Sequence, residues 1–412
     1  MDNLTAAIAV AIFAATYLIV ALGKIPVYRI DRAGAALLGA ALMVGTGVLS
    51  LDEAFRAIDF GTVTLLLGMM IVVANLRVSG FFRMVNDWIS VRVRHPLGLL
   101  TGVALTTGLL SAFLVNDAIC LVMTPLVLDV VARRQRDPVP YLLAIAMASN
   151  IGSVATITGN PQNIIIGSLS RIPYAAFTAA LAPVAAFGLL LTVALIALVY
   201  RREFLTGDLL PPARAPAPRY HGPLVVKTVL VAAAIVLMFF LGAPVAKVAI
   251  IGGAFLLLTR RVKPEKIYRE IDWPLLVMFV GLFVVVGGLE KTVVRPNFET
   301  LAGALHFEND ALLAGVAAVL SNIVSNVPAV LVLKPFVPNL PDAQHGWLVV
   351  AMAATFAGNF TLVGSIANLI VAERAKARGV VLGFRSYFLI GAPLTILTIV
   401  AGLLWLGGGS PG

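Results

Sequence analysis

The chain has 412 residues, 60% of them hydrophobic and only 12% charged, with a formal net charge of +10 and a mean hydropathy of +0.99. That composition excludes a soluble globular domain, and in such a chain the basic excess reads as loop Lys and Arg obeying the positive-inside rule, not as a nucleic-acid surface. One cysteine, Cys120, excludes an intrachain disulfide and a multi-thiolate site. His95, His221, His306 and His345 are scattered, and there is no phosphate-binding glycine loop, so no metal, cofactor or intrinsic ATP hydrolysis is expected.

Residues 4–23 form the first apolar span, read as an integral helix because no basic region precedes it. Lys24, Arg29 and Arg32 follow and place that loop in the cytoplasm and the N-terminus outside. Span 2 covers residues 33–50, and Asp52, Glu53 and Asp59 against one Arg56 suit the outside. Span 3, residues 60–76, returns to Arg77, Arg83, Arg92 and Arg94, where Phe81, Phe82 and Trp88 suit the membrane interface.

The next apolar run, about 97–132, is interrupted by Asn116 and Asp117 and flanked by Arg94 on one side and Arg133, Arg134 and Arg136 on the other. One straight span cannot start and finish on the same side. The segment is therefore predicted to enter, turn at Asn116 and Asp117, and return as a re-entrant hairpin. Such backbone is tolerated only inside protein or beside a watery cavity, and an ionisable group at that depth marks a functional site. Span 4, residues 141–158, runs into Gly159, Asn160, Pro161, Gln162 and Asn163, where glycine and proline favour unwinding. Span 5, residues 175–200, leads to Arg201 and Arg202. Residues 201–221, with Pro211, Pro212, Pro216 and Pro218, read as an extended cytoplasmic linker.

Residues 222–412 echo residues 1–200. Asp59, Phe60 and Gly68 match Asp272, Trp273 and Gly281; Asn116 and the run to Pro125 match Asn326 and the run to Pro335. Ala146, Met147, Ala148, Thr156, Gly159 and Asn163 match Ala351, Met352, Ala353, Thr361, Gly364 and Asn368. The separation drifts slowly, as a duplicated unit with small loop changes would give. Arg260, Arg261, Lys263, Lys266 and Arg269 precede span 8, residues 273–289, and Glu290, Glu299, Glu308 and Asp310 follow it. The second hairpin, about 310–340, is thus expected to enter from outside. Span 9 returns through Gly358 and Asn359 to Arg374, Lys376 and Arg378, and span 10, residues 386–406, ends outside. The expected fold class is an all-α polytopic membrane protein: two inverted repeats, ten transmembrane helices, two opposed re-entrant hairpins and two unwound helices. That is the pattern of secondary transporters.

The hairpin tips and unwound segments resemble the ion transporter superfamily, which includes divalent-anion/sodium symporters, citrate carriers, sodium/proton antiporters and arsenite efflux carriers. Val115, Asn116, Asp117 and Ala118, and Ser325, Asn326, Val327 and Pro328, stand where the dicarboxylate branch carries Ser-Asn-Thr followed by Ala. Gly159 to Asn163 stand for its Gly-Thr-Pro-Pro-Asn motif. The asparagines remain, the hydroxyls are largely lost, and an Asn-Asp tip resembles the arsenite/antimonite efflux (ArsB) branch. The resemblance implies a secondary active transporter of the cytoplasmic (inner) membrane that exports arsenite or antimonite in exchange for protons. A proton- or sodium-coupled carrier of another small anion, or a sodium/proton antiporter, is the alternative on this scaffold. The implied partners are membrane lipid, a small inorganic oxyacid such as arsenite, and protons, with no nucleic acid; docking of an ATPase partner on the cytoplasmic loops is left open.

The residues give their own reading. A dicarboxylate wants fixed positive charge, and near the tips the sequence offers only Lys334, expected at the hairpin mouth. Neutral As(OH)3 wants donors and acceptors, which Asn116, Asn160, Asn163, Ser325, Asn326, Asn359 and Asn368 can supply, although each could equally satisfy unwound backbone. Asp117 is open to three readings: carrier of the coupling proton, which is preferred, Na+ ligand, or helix cap. Cys120 is expected in the core, because a lone thiolate would retain thiophilic arsenic(III) where release is needed. No nucleophile–base pair lies on a span, which argues against an enzyme, and broken inverted repeats suit alternating access better than a channel.

Overall fold

A computed structural model describes residues 3–25, 30–205, 209–210, 220–259, 262–297 and 306–408. Arg29, Arg260, Arg261, Glu299, residues 206–208 and 211–219 of the expected linker, and both chain ends lie outside them. The described residues are almost wholly helical. The exception is a minimal hairpin, β1 (Lys24–Ile25) antiparallel to β2 (Ile30–Asp31), which joins α1 (Asn3–Leu22) to α2 (Arg32–Gly45).

Several helices start where a polar side chain takes over an orphan amide. Asp31 accepts from Gly34 to open α2. Ser50 and Glu53 form a reciprocal capping box at α3 (Leu51–Ala57). Span 2 is shorter than expected, because α2 ends at Gly45 and Gly47, at φ +77, turns the chain ahead of α3. Asp59 opens α4 (Phe60–Ser79), which stops at Gly80 with φ +86. α5 (Phe81–Arg92) buries Phe82 and leaves Trp88 exposed under the Arg92 guanidinium. α6 (Pro96–Phe113) and α7 (Asn116–Arg133) are separated only by Leu114 and Val115. α8 (Pro138–Ser153) and α9 (Pro161–Ser170) flank the first unwound segment, and α10 (Tyr174–Val199) and the short α11 (Arg201–Phe204) close the first half.

The second half runs through α12 (Gly222–Phe240), α13 (Val245–Leu257), α14 (Pro264–Tyr268) and α15 (Trp273–Leu289), the last extended by a π turn over Glu290–Val294. α16 (Asp310–Val324) and α17 (Asn326–Leu333) meet at Ser325. The returning arm α17 is short, because Pro335 and Pro338 lack the amide a longer helix needs, and a 3-10 turn, Val337–Asn339, follows. α18 (Ala343–Ala357) and α19 (Ile366–Lys376) flank the second unwound segment, and α20 (Phe384–Gly408) is last. Seven of the described helices are long and apolar enough to cross a bilayer; α2, α13 and α16 are shorter apolar helices.

The core is centred on α8 and α18, where every side chain from Tyr141 to Ile151 and from Val349 to Ala354 is fully buried. Around them the halves pack crosswise, α2 against α15 and α4 against α13. Both contacts depend on a glycine. A Cβ on Gly281 would lie 2.5 Å from the Ala36 carbonyl group, and one on Gly68 would lie 2.5 Å from the Ala249 carbonyl carbon. Small residues let helix backbones approach this closely, which is how helices gain contact where lipid removes the hydrophobic drive. Ion pairs tie the ends. Arg77 meets Glu270 and Arg378 meets Asp129. Lys291 meets Glu53 at 2.7 Å and Lys334 meets Glu290 at 3.6 Å. The Lys291 hydrogen bond, with the Ser50 amide, holds the Glu53 carboxyl down at about 2.

Candidate functional site

Four chain breaks meet in the middle of the molecule. The α6–α7 break rests on the first unwound segment, where the Asn116 amide donates to the Gly159 carbonyl at 3.0 Å. The α16–α17 break rests on the second: Ser321 donates to the Ala354 carbonyl at 2.7 Å, and Asn322 to that of Ala357 at 2.9 Å. Ser325, at the tip, has φ +78 and ψ +160. That region is nearly exclusive to glycine, so the tip holds backbone strain of about 1–3 kcal/mol, of the kind concentrated at functional sites.

The unwound segments are held open by two asparagines doing the same work. Asn163 Nδ2 donates to the Ser153 carbonyl at 3.1 Å and the Thr156 carbonyl at 3.0 Å. Asn368 Nδ2 donates to the Gly358 carbonyl at 2.7 Å and the Thr361 carbonyl at 3.3 Å. Asn160 caps α9 through the Asn163 amide at 2.8 Å and spends its Nδ2 on Ser153 and Thr355. These are the carbonyls and amides that a broken helix exposes and that a dry interior must satisfy.

Asn150, absent from the sequence-derived set, is the hub. Its Nδ2 donates to Asn359 Oδ1 at 2.9 Å and Asn368 Oδ1 at 3.0 Å; its Oδ1 accepts from Ser365 at 3.1 Å and from Asn116 Nδ2 at 3.1 Å. The orientation of each amide follows from its neighbour. Asn368 must present Oδ1 to Asn150 because its Nδ2 is on carbonyls; Asn150 must then present Oδ1 to Asn116. The remaining atom, Asn116 Oδ1, is buried without a hydrogen-bond partner. At the other tip, the Asn326 side-chain amide lies 2.6 Å from the Ser321 hydroxyl, whose single proton is shared between that amide and the Ala354 carbonyl. One tip thus offers a free acceptor and the other an amide held by one hydroxyl.

Between them lies a cavity lined by Arg32, Asn116, Asp117, Gln162, Ser325, Asn326 and Ser365, with apolar walls from Leu275 and Met278. Of the residues expected to bind substrate, Asn116, Ser325 and Asn326 line this space. Asn160, Asn163, Asn359 and Asn368 stand behind it, fully buried, and frame the unwound backbone. Asp117 also faces the cavity and lies in the first turn of α7, but it is not the cap: Val115 holds that position, with no side-chain bond. Cys120 is buried in the core, its thiol donating to Ser149 at 3.0 Å. Lys334 sits on Glu290. The expectation of no other nearby cation fails, because pairing of α2 with α15 carries Arg32 from the basic loop into the cavity wall. The cavity widens past Arg32, Asp117 and Asp272 into a vestibule edged by Asp31 and Glu373.

A family model described as citrate transporter, CitMHS, matches residues 17–357, most of the chain. The chain belongs to the citrate transporter (CitMHS) family. It is 31% identical to the 46 kDa membrane protein of Mycobacterium leprae over 97% of this chain and 98% of that one. It is 28% identical to the silicon efflux transporter LSI3 of rice, Oryza sativa subsp. japonica, over 96% of each. A Dictyostelium discoideum protein bearing the transporter name arsB is 24% identical over 91% of this chain and 87% of its own. Among solved structures the YdaH transporter of Alcanivorax borkumensis superposes with a TM-score of 0.61 at 16% identity, covering 98% and 97% of the two chains, a likeness of fold. As a CitMHS-family member with seven long apolar helices, the protein is a multi-pass membrane transporter of the ion transporter superfamily.

Within the CitMHS family setting, the charge around this cavity decides what it can hold. One guanidinium, Arg32, faces two carboxylates, Asp117 and Asp272, across the cavity and vestibule, and Asp272 is fixed as the cap of α15 through Leu275 at 3.0 Å. A multiply charged carboxylate would meet more repulsion than attraction there. The free acceptor on Asn116 also wants a donor, which an ionised carboxylate lacks and a neutral hydroxyl has. Gln162, with Nε2 on Thr355 at 3.0 Å, and Ser365 complete a lining of amides and hydroxyls.

Proposed function

We propose that the protein is a secondary active transporter exporting arsenite or antimonite in exchange for protons across the cytoplasmic membrane. The observation that carries the reading is a cavity of amides and hydroxyls between the two tips, lined by Asn116, whose Oδ1 has no hydrogen-bond partner, and by Asn326. A hydroxyl of neutral As(OH)3 donates to the Asn116 oxygen, and another hydrogen-bonds to the Asn326 amide. The silicon-efflux name of the rice relative and the arsB name of the Dictyostelium relative point the same way, towards small hydroxylated solutes. The proposal includes the architecture: ten spans, hairpins about 97–132 and 310–340 re-entrant from opposite faces, repeats 1–200 and 222–412 inverted, and residues 201–221 cytoplasmic. The paired contacts of Gly68 and Gly281, and of Asn163 and Asn368, support an internal duplication.

Asp117 carries the coupling proton in this reading. It faces the cavity and is not consumed as a cap. One proton moving inward against one neutral substrate moving outward carries one positive charge in, which an inside-negative potential drives with about 2.3 kcal/mol per 100 mV. Arsenite uptake into everted vesicles, with and without a pH gradient, tests this. Asp117→Asn abolishes gradient-driven accumulation while substrate exchange persists, and Asn116→Ala or Asn326→Ala weakens binding in a correctly folded protein. Full gradient-driven uptake by Asp117→Asn removes the proton role. A second reading rests on Arg32: with Asp117 protonated, that guanidinium would face a small anion. It predicts uptake of a carboxylate that arsenite does not compete with.

A further inference from the structure

At two charged positions that line the cavity the two halves differ, and the differences coincide. Asp117 is the second residue of α7, and the second residue of the matching helix α17 is Val327. Arg32 is the first residue of α2. The paired glycine contacts equate Ala36 on α2 with Ala249 on α13, so the match of Arg32 is Val245, the first residue of α13. The first half carries a carboxylate and a guanidinium, and the second carries valine at both places. Arg32 and Asp117 line the same cavity and the same vestibule. Among the described residues neither forms an ion pair within 4.0 Å.

We propose that Arg32 is the positioning counter-charge of Asp117, a pair installed in one repeat only, so that the cavity is balanced when Asp117 is ionised and carries Arg32's charge when Asp117 holds the proton. This rests on the proton role proposed for Asp117. The cost of one charge in a low-dielectric cavity is met by the other. Protonation of Asp117 frees the guanidinium to turn outward, where Asp272, Asp31 and Glu373 line the vestibule. Glu270 lies in the adjoining crevice but is taken by Arg77, so it does not compete.

A double-mutant cycle tests the pair without any assumption about substrate. Arg32→Val, Asp117→Val and the double variant, which reproduces the Val245 and Val327 arrangement, are purified and their melting compared at neutral pH. Each single change leaves one buried charge unmatched and lowers Tm by several degrees; the double returns close to wild type, and Arg32→Lys stays near it. In proteoliposomes each single valine variant loses gradient-driven arsenite uptake by at least about tenfold, the factor of one pKa unit of lost coupling. The double recovers exchange at equal pH but no gradient-driven uptake. Additive losses of Tm in the double overturn the pair, as does a wild-type pH profile for Arg32→Val. If no variant fails to fold and the wild type moves no arsenite, the substrate reading falls, while the melting cycle still decides the pair.

Discussion

The crosswise packing of the halves rests on two glycines, and a single methyl group at either is enough to measure it. Gly68→Ala and Gly281→Ala each improve helix propensity, by about 1 kcal/mol in an exposed helix interior. The added Cβ, however, lies 2.5 Å from backbone atoms of Ala249 or Ala36, and backbone cannot rotate away as a side-chain tip can. Relief requires the helix pair to separate by close to 1 Å, an overpacking cost of about 1–3 kcal/mol, to which lost interhelical contact adds. The net effect is a loss of about 1–2 kcal/mol at each site. The sites share no neighbours, so the double variant loses the sum. Gly315, with nothing within 4 Å of an added Cβ, is the control, and Gly315→Ala is neutral or stabilising. Thermal melting of the purified protein in detergent reads all four. Unchanged or raised Tm in Gly68→Ala and Gly281→Ala would show that the helices are not in backbone contact and would refute the crosswise packing.

The frame asparagines behave differently from the tips: Asn163→Ala and Asn368→Ala strip donors from buried carbonyls and lose about 1–3 kcal/mol of stability, whereas Asn116→Ala retains its Tm and loses substrate affinity. Equal melting losses for both classes would contradict the division of labour. Ser325→Gly relieves the tip backbone at φ +78 and raises Tm, read in the same melting series; a fall would mean the conformation is not strained. The Glu53 carboxyl is held at about 2 by Lys291, below its unfolded value, so its contribution is complete above the ordinary carboxylate range and is lost as pH falls through about 2. The Tm difference between wild type and Glu53→Gln is therefore the same at pH 7 and pH 5; a difference that shrinks over that interval refutes the tie.

The helical architecture was legible because the determinants are local. Asp59 and Asp272, each before an apolar run, do cap helices, and glycine and proline around Asn160 and Pro161 do mark an unwound stretch. The end of span 2 was not legible from hydropathy; the turn after Gly45, with Gly47 at φ +77, decided it. The short second return arm had its signal in plain view in Pro335 and Pro338, which the expected range of 310–340 passed over. The matched glycines were visible as positions but not as contacts. Nothing in the order of residues says that Gly68 meets Ala249 and Gly281 meets Ala36, because that is a property of how the halves dock.

The site was half legible for the same reason. A count of asparagines near the breaks gives donors and acceptors but not the number left over, and that number is what a substrate sees. Asn160, Asn163, Asn359 and Asn368 spend nearly all their capacity on the chain itself, and Asn150 and Ser365, unremarked in a buried run, spend theirs orienting Asn116. At the tips the surplus is the acceptor on Asn116 and the amide capacity of Asn326 that one hydroxyl leaves open. Arg32 was misassigned because a basic residue at the end of a span ordinarily belongs to the loop. Whether it faces water or the cavity depends on which partner α2 leans against, and that partner, α15, lies in the other half of the chain. Once there, Arg32 changes the argument about substrate. A cation near the tips would invite an anion if it stood alone, but with Asp117 and Asp272 lining the same vestibule it removes excess negative charge and leaves a cavity suited to a neutral solute.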